Sequence, residues 1–514
     1  MAEKRSLWGS KIGFLMAAIG SAVGLGNIWR FSYMAFEHGG GAFLVPYFIA
    51  LVTAGIPLMI LEYVLGHREK ASSPLAFVRV APKLEFIGWW MPLAAFFGIT
   101  VYYAAVLGWC INYLFSSFSL AWGADTQTYF FSSFLQITGS PLVLGGIRWP
   151  VFFATIGGWG LVWVICYRKI NRGIEKACLL FMPLLFILTL GLVGWTLNLE
   201  GAWAGVVNNY LTPDWDKINV FANPAAWKVW SAAYGQIFFT LSLGFGIMIT
   251  YSSYLPQKTD IPGNALWTCC TDCIYSFIAG FAVFGIVGFM AHTKGVDFSS
   301  VIKGGPQLAF VVYPEAINQL PFGRVAFGIM FFVVLIVAGI SSAISLLEAT
   351  ACALMDKFNI PRRKAVTGLC IAGLFGSTIF TTRAGLMILD IVDHFITNYG
   401  LILGGIIQCI LVGWIMKARV ARAYVNTLGG THLPRIWDFA IRWLTPVILS
   451  VIFLQTVITD LRQTYENYPW LSIILFGGLW MLAIFASSLL LAGRRWPPEK
   501  LRREHKPEDE TLLT

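Results

Sequence analysis

The chain has 514 residues, 57% of them hydrophobic and 12% charged, with 21 Trp, 40 Phe and a formal net charge of +10. A water-soluble protein of this size needs far more polar surface, which excludes a soluble globular enzyme. Apolar runs of about 20 residues, enough to cross roughly 30 Å of hydrocarbon, recur from end to end and mark an integral membrane protein.

About twelve spans are predicted, near 12–36, 41–66, 87–118, 149–167, 176–198, 227–255, 261–291, 322–355, 364–381, 384–416, 437–459 and 468–492. The basic start (Lys4, Arg5, Lys11) leads directly into the first span, with no small-residue cleavage site of a signal peptide. Basic residues then follow spans 2 (Arg68, Lys70, Arg79, Lys83), 4 (Arg168, Lys169, Arg172, Lys176), 8 (Lys357, Arg362, Arg363, Lys364) and 10 (Lys417, Arg419, Arg422). The outer connections near 119–147, 199–226 and 292–321 are long and poor in Lys and Arg. This alternation places both termini in the cytoplasm, in a cell inner membrane, and argues against a nucleic-acid surface. The nine cysteines lie mostly inside apolar runs and read as small hydrophobes. Cys270 and Cys273 have a metal-pair spacing but no second pair, so no metal or redox site is expected there.

Spans 1 and 6 depart from the rule that a membrane helix keeps its backbone paired. Span 1 carries Gly20, Gly24, Gly26 and Asn27 at its middle, and span 6 carries Thr240, Ser242, Gly244 and Gly246. Unpaired backbone survives at that depth only beside protein or a polar cavity. Breaks five spans apart fit two halves, spans 1–5 and 6–10, related by inverted topology. Small residues that merely let helices pack closely are the competing explanation. The expected fold class is therefore an all-α membrane protein with a 5+5 inverted repeat over 1–436. Discontinuous helices 1 and 6 break that core, two further spans occupy 437–494, and a charged cytoplasmic tail 495–514 follows.

Half-helix amino ends offer N–H groups and positive dipoles to a carboxylate, whereas carboxyl ends offer carbonyls to a cation. Asn27, Thr240, Ser341 and Ser342 add hard oxygen ligands suited to an alkali cation, and Ile99, Phe239 and Phe245 add an apolar wall. An apolar zwitterion accompanied by sodium fits this inventory.

The runs Gly24–Phe31, Gly39–Tyr47 and Gly235–Gly246 resemble the neurotransmitter:sodium symporter family, most of all its bacterial amino-acid branch, typified by the bacterial leucine transporter. The resemblance covers the whole chain and implies two Na+ sites. The first would use the carbonyl of Ala22 and the side chains of Asn27, Thr240 and Asp272. The second would use carbonyls of Gly20, Val23 and Ala338 with the hydroxyls of Ser341 and Ser342. The substrate carboxylate would meet Tyr103, Gly24 and Gly26, and its side chain Ile99, Phe239, Phe245 and Leu346. Ser242 would lie near the amino group, and Ala22 and Ser342 would border the same pocket. Gly24 stands where the family's monoamine carriers have an aspartate, so a substrate with its own carboxylate is implied. Leucine, isoleucine, valine or methionine is the expected partner, on a monomer or homodimer. Outer gates at Arg30 and Asp393, with Asp390 nearby, and inner gates at Arg5, Asp356, Trp8 and Tyr254 are implied as well.

One departure stands out. Position 272, usually asparagine in the family, is Asp272, and Ser276 lies one turn later on the same face. Serine there is the pattern of chloride-dependent members, whose anion lies near the positions of Tyr47, Gln236 and Ser276. Bound chloride and an ionised Asp272 would place like charges close together in a poor dielectric. An ionised Asp272 is expected to make transport chloride-independent; a protonated Asp272 acting as an asparagine mimic is the alternative. The same fold could instead couple to protons or potassium. A membrane enzyme is disfavoured because no acid, base and nucleophile converge.

Overall fold

Within hydrocarbon every backbone N–H and C=O needs a partner from its own segment, and helices provide one. The computed structural model describes residues 7–220 and 226–501. Among the described residues the secondary structure is helical, with two isolated β-bridges in outer connections, Gly40–Pro213 and Ile147–Thr382.

The first span is a pair, α1 (Lys11–Ala22) and α2 (Leu25–Glu37), bent by 50° at its break. It is followed by α3 (Gly41–Glu69), α4 (Pro82–Ser117), α5 (Trp149–Cys166) and α6 (Ile174–Leu197). The sixth span is also a pair, α7 (Ala226–Thr240) and α8 (Ile247–Ser253), separated by six residues that are not helical. Then come α9 (Ile261–Lys294), α10 (Arg324–Phe358), α11 (Arg362–Thr381), α12 (Gly385–Ile415), α13 (Ile436–Asn467) and α14 (Trp470–Ala492).

Ten of these helices are long and apolar enough to cross a membrane, eleven with the first bent pair counted as one. The sixth span falls outside that count: its halves are 15 and seven residues long, and six residues separate them. Predicted and observed bounds otherwise agree within about five residues, except that the span predicted at 437–459 runs on to Asn467. Short helices the hydropathy pattern did not predict occupy the connections after α3 and α12, at Ser73–Val80 and Ala418–Thr427. They are amphipathic or brief, so a search for long apolar runs passes over them.

The broken pairs lie inside a scaffold of long helices. α9 packs on α1, α2, α3 and α6, while α10 packs on α1, α4, α6, α8 and α11. Contact is close where side chains are small. A Cβ at Gly66 of α3 would fall 1.9 Å from the carbonyl oxygen of Ile249 in α8. The last two helices are peripheral: only 17% of the apolar window of each is buried. All nine cysteines are free. Arg5 and the tail residues 502–514 lie outside the described residues.

Candidate functional site

The break in the first span falls at Val23–Gly24, because both residues leave helical geometry for extended backbone (Val23 φ −73°, ψ 104°; Gly24 φ −130°, ψ −167°). Asn27 then caps α2 from within: its Oδ1 accepts the Gly24 N–H at 2.7 Å. The break in the sixth span runs from Leu241 to Gly246 and turns through left-handed backbone at Ser242 (φ 54°), Gly244 (φ 83°) and Gly246 (φ 73°). Left-handed backbone is uncommon outside glycine, so Ser242 needs support from its surroundings. Its hydroxyl donates to the Ser21 carbonyl at 2.9 Å, tying the two breaks together.

Both breaks put helix ends at mid-chain depth. The terminal carbonyls of α1 and α7 and the first N–H groups of α2 and α8 have no partner within their own helix. Beside them lies one buried polar cluster. The Asn27 amide donates to Thr240 Oγ1 (2.9 Å), Asp272 Oδ1 (2.7 Å) and Ser276 Oγ (2.8 Å). Thr240 Oγ1 donates to Asp272 Oδ2 at 3.1 Å. Asn27, Thr240, Asp272 and Ser276 are all buried. Three of these are the side chains expected at the first cation site, brought together from α2, α7 and α9.

The residues expected at the second cation site meet across α1 and α10. A Cβ at Gly20 would lie 3.4 Å from Cβ of Ser341, and Ser341 donates to the Ala338 carbonyl at 2.9 Å. Ser21 binds Ser345 hydroxyl to hydroxyl at 2.8 Å in the same seam. Ser342 Oγ is buried and faces the Tyr103 hydroxyl.

Next to that seam, α2 begins in a confined space. A Cβ at Gly24 would come within 2.9 Å of Ser342 Oγ and 3.4 Å of the Tyr103 hydroxyl, and the Leu25 N–H points at that hydroxyl at 3.4 Å. A Cβ at Gly26 would meet the Phe239 ring at 3.1 Å. Ile99, Phe245 and Leu346 are buried in the core. Tyr47 lies close to Cys273, Ser276 and Asp272. The Tyr47 hydroxyl is buried beside the Cys273 thiol and the Ser276 hydroxyl, and among the described residues the side-chain polar atoms of Gln236 are buried without a hydrogen-bond partner.

A model of the family described as the Sodium:neurotransmitter symporter family matches residues 5–129 and 123–494. The chain belongs to the sodium:neurotransmitter symporter family. It is 41% identical over 488 residues to an uncharacterised sodium-dependent transporter of Methanocaldococcus jannaschii, covering 95% of this chain and 97% of the relative. It is 28% identical over 522 residues to the sodium-dependent dopamine transporter of Caenorhabditis elegans, covering 91% of this chain and 82% of the relative. Among solved structures, MhsT in complex with L-phenylalanine superposes with a TM-score of 0.72 at 31% identity. That match covers 88% of this chain and 100% of MhsT. The protein is thus a multi-pass sodium-coupled symporter and not an enzyme.

The two ends of this symporter differ. At one end Arg30 stands over the Phe239 ring, 4.5 Å from its centroid. Asp393 instead accepts the Tyr102 hydroxyl at 2.5 Å, and among the described residues it makes no ion pair with Arg30. Asp390 is held by Tyr465 (3.0 Å) and Tyr468 (3.1 Å), away from that pair. At the other end Trp8 is buried, donating Nε1 to the Tyr251 carbonyl at 2.8 Å and its backbone N–H to the Tyr254 carbonyl at 3.2 Å. Asp356 accepts the Ser72 N–H at 2.9 Å. Its expected partner, Arg5, lies outside the described residues.

Four acids and phenols not anticipated from the sequence complete the site. Glu62 of α3 accepts the Gly244 N–H. Glu348 of α10 holds Arg362 through two bonds (2.7 and 2.6 Å) and accepts the Tyr254 hydroxyl at 2.8 Å. Glu175, in the first turn of α6, accepts the Gly9 N–H at 2.7 Å and the Ser10 hydroxyl at 2.8 Å. Tyr102 is the fourth. A lone carboxylate inside an apolar run, as at Glu62 and Glu348, is the signal that could have found two of them.

Proposed function

We propose that this symporter carries a hydrophobic amino acid into the cell with two sodium ions and without chloride, by alternating access. The observation that carries the substrate class is the space at Gly24. Its missing side chain leaves a space at the amino end of α2, bordered by the Tyr103 and Ser342 hydroxyls, where an acceptor can draw on those hydroxyls and on the helix dipole. A substrate carboxylate is such an acceptor, and Gly26, Ile99, Phe239, Phe245 and Leu346 surround its side chain. Leucine, isoleucine, valine and methionine fit such a wall. The likeness to MhsT, solved with L-phenylalanine, supports an amino acid and keeps an aromatic one in play.

In this reading Asn27, Thr240, Asp272 and the Ala22 carbonyl hold one ion. Gly20, Val23, Ala338, Ser341 and Ser342 hold the other. Two ions suffice energetically: a tenfold gradient gives about 1.4 kcal/mol per ion and 100 mV roughly 2.3 kcal/mol per charge, about 7 kcal/mol together. Arg30 and Asp393 then close the outer path, and the Trp8–Tyr254–Glu348 arrangement, with Arg5 and Asp356, closes the inner one. The alternation of basic connections supports an inner membrane with both termini cytoplasmic. Residues 1–436 form the repeat core in this reading, and 437–494 the two added spans.

The test is uptake of labelled leucine and phenylalanine into proteoliposomes under an inward sodium gradient, against an equal potassium gradient. Accumulation with sodium alone, suppressed by unlabelled methionine or valine, is expected. Equal uptake in both gradients would overturn sodium coupling as proposed and favour proton coupling through Asp272.

A further inference from the structure

The turn between α5 and α6 and the start of α11 enclose a cavity of about 430 Å³ lined by Arg168, Lys169, Arg172, Lys176 and Arg363. No acidic residue lines it. Among the described residues the side chains of Arg168, Lys169, Arg172 and Lys176 make no hydrogen bond or ion pair, so their donors are free. The one acid in the same segment, Glu175, is turned the other way and spent on Gly9 and Ser10. Arg363 is steadied by lying over the Tyr167 ring, 5.0 Å from its centroid. The wall itself is pinned: Arg362 Nε donates to the carbonyls of Cys166 (2.9 Å) and Arg168 (2.8 Å).

A preference for basic residues on one side of a membrane would scatter such charges over a face. Here five converge on one hollow from two segments that are distant in sequence. The hollow also sits at the ends of the two helices most open to lipid in the transporter core, with 33% (α5) and 28% (α6) of their apolar windows buried. Leu161 and Val164 of α5 and Leu179 and Leu180 of α6 are exposed just inside it. Trp163 packs on Tyr167 at the same level (centroids 4.9 Å apart), in the manner of aromatic residues at a membrane interface.

We infer that this cavity is a binding site for the phosphate of an anionic glycerophospholipid headgroup, with the acyl chains lying along the exposed faces of α5 and α6. Guanidinium and ammonium donors that converge without a counter-charge suit a phosphate, and the adjoining apolar faces suit a lipid rather than a free ion. The lipid then rests on the turn that carries Glu175, whose carboxylate holds the segment just before α1. Occupancy is thereby placed next to the inner latch.

The experiment titrates the detergent-purified full chain with phosphatidylglycerol or phosphatidylcholine and counts bound lipid by native mass spectrometry. Phosphatidylglycerol is expected to bind on the order of tenfold more tightly. That preference should fall to near parity in Lys169→Gln/Arg172→Gln, and measurably in Arg172→Gln alone. An equal charge loss at another inner connection, Lys417→Gln/Arg419→Gln, should leave it intact. Failure of millimolar inorganic phosphate to displace the lipid is expected, and full displacement would overturn the lipid assignment in favour of a free anion. Equal binding of the two lipids, or equal loss in the control variant, would overturn the site.

Discussion

Glu62 and Gly244 join the second span to the break in the sixth: Glu62 Oε1 accepts the Gly244 N–H at 2.8 Å. Both are buried, and the amide belongs to backbone that has left its helix, so no water or helical carbonyl replaces the acceptor. Position 244 is also crowded. A Cβ there would sit 2.9 Å from the Leu401 carbonyl oxygen, on a φ that L side chains rarely adopt.

Glu62→Ala leaves that N–H unpaired, at a cost of roughly 1–3 kcal/mol. Uptake is expected to fall about tenfold or more, because the misplaced break carries Ser242 and adjoins Thr240. Glu62→Gln keeps a carbonyl acceptor and should retain most of the activity. Uptake in proteoliposomes beside thermal unfolding in detergent checks both, and an Ala variant as active as the parent would remove the strut from the account.

Gly24→Ala tests the carboxylate pocket. The added methyl meets the end of the Ser342 side chain, 2.9 Å away, which can rotate, so folding should change little. The methyl then fills the place assigned to the substrate, and affinity should drop on the order of tenfold or more. Binding by scintillation proximity, with unfolding temperature as the control, separates the two effects.

The helices were legible in the sequence because their signal is local. A run such as 261–291 needs only its own composition to be read, and the observed helix is Ile261–Lys294. The breaks were legible for the same reason: glycine and hydroxyl residues interrupt an apolar run, and the structure breaks at Val23–Gly24 and at 241–246. What stayed hidden depends on distant partners. Nothing near Asp393 in sequence announces Tyr102, which is 291 residues away. Likewise, Glu348 stands out as a lone acid in an apolar run, but nothing near it in sequence announces its partners Tyr254 and Arg362. The family resemblance supplied the cation and substrate residues as an expectation, but it carried no such partners.

Asp272→Asn addresses the anion. In the parent, Asp272 accepts from Asn27 and Thr240, the Tyr47 hydroxyl is buried close by, and the Gln236 side chain is unpaired among the described residues. Removing the carboxylate's charge leaves those donors to a mobile anion, so the variant is expected to gain severalfold stimulation by chloride over gluconate. The parent should show none. A chloride-stimulated parent, or a variant indifferent to chloride, would refute the substitution of carboxylate for anion.

Glu348→Gln tests the inner latch. The Glu348 side chain is fully buried and that of Arg362 is 14% exposed, so the pair is closed off from water. Such a pair is weak grounds for stability as a whole, yet removing one partner leaves a buried charge without compensation, at a cost of about 3–5 kcal/mol. The substitution also weakens the acceptor that position 348 offers the Tyr254 hydroxyl, and the Tyr254 carbonyl holds Trp8. The expected result is a lower unfolding temperature together with an inner end that opens more readily, read as faster labelling of a cysteine placed at Ser253, a buried position beside Tyr254. Tyr254→Phe removes only one hydroxyl and leaves the Arg362 pair intact, so it should speed labelling with a much smaller loss of stability. If labelling stays slow in both variants, the Glu348 network is a structural brace and not part of the gate.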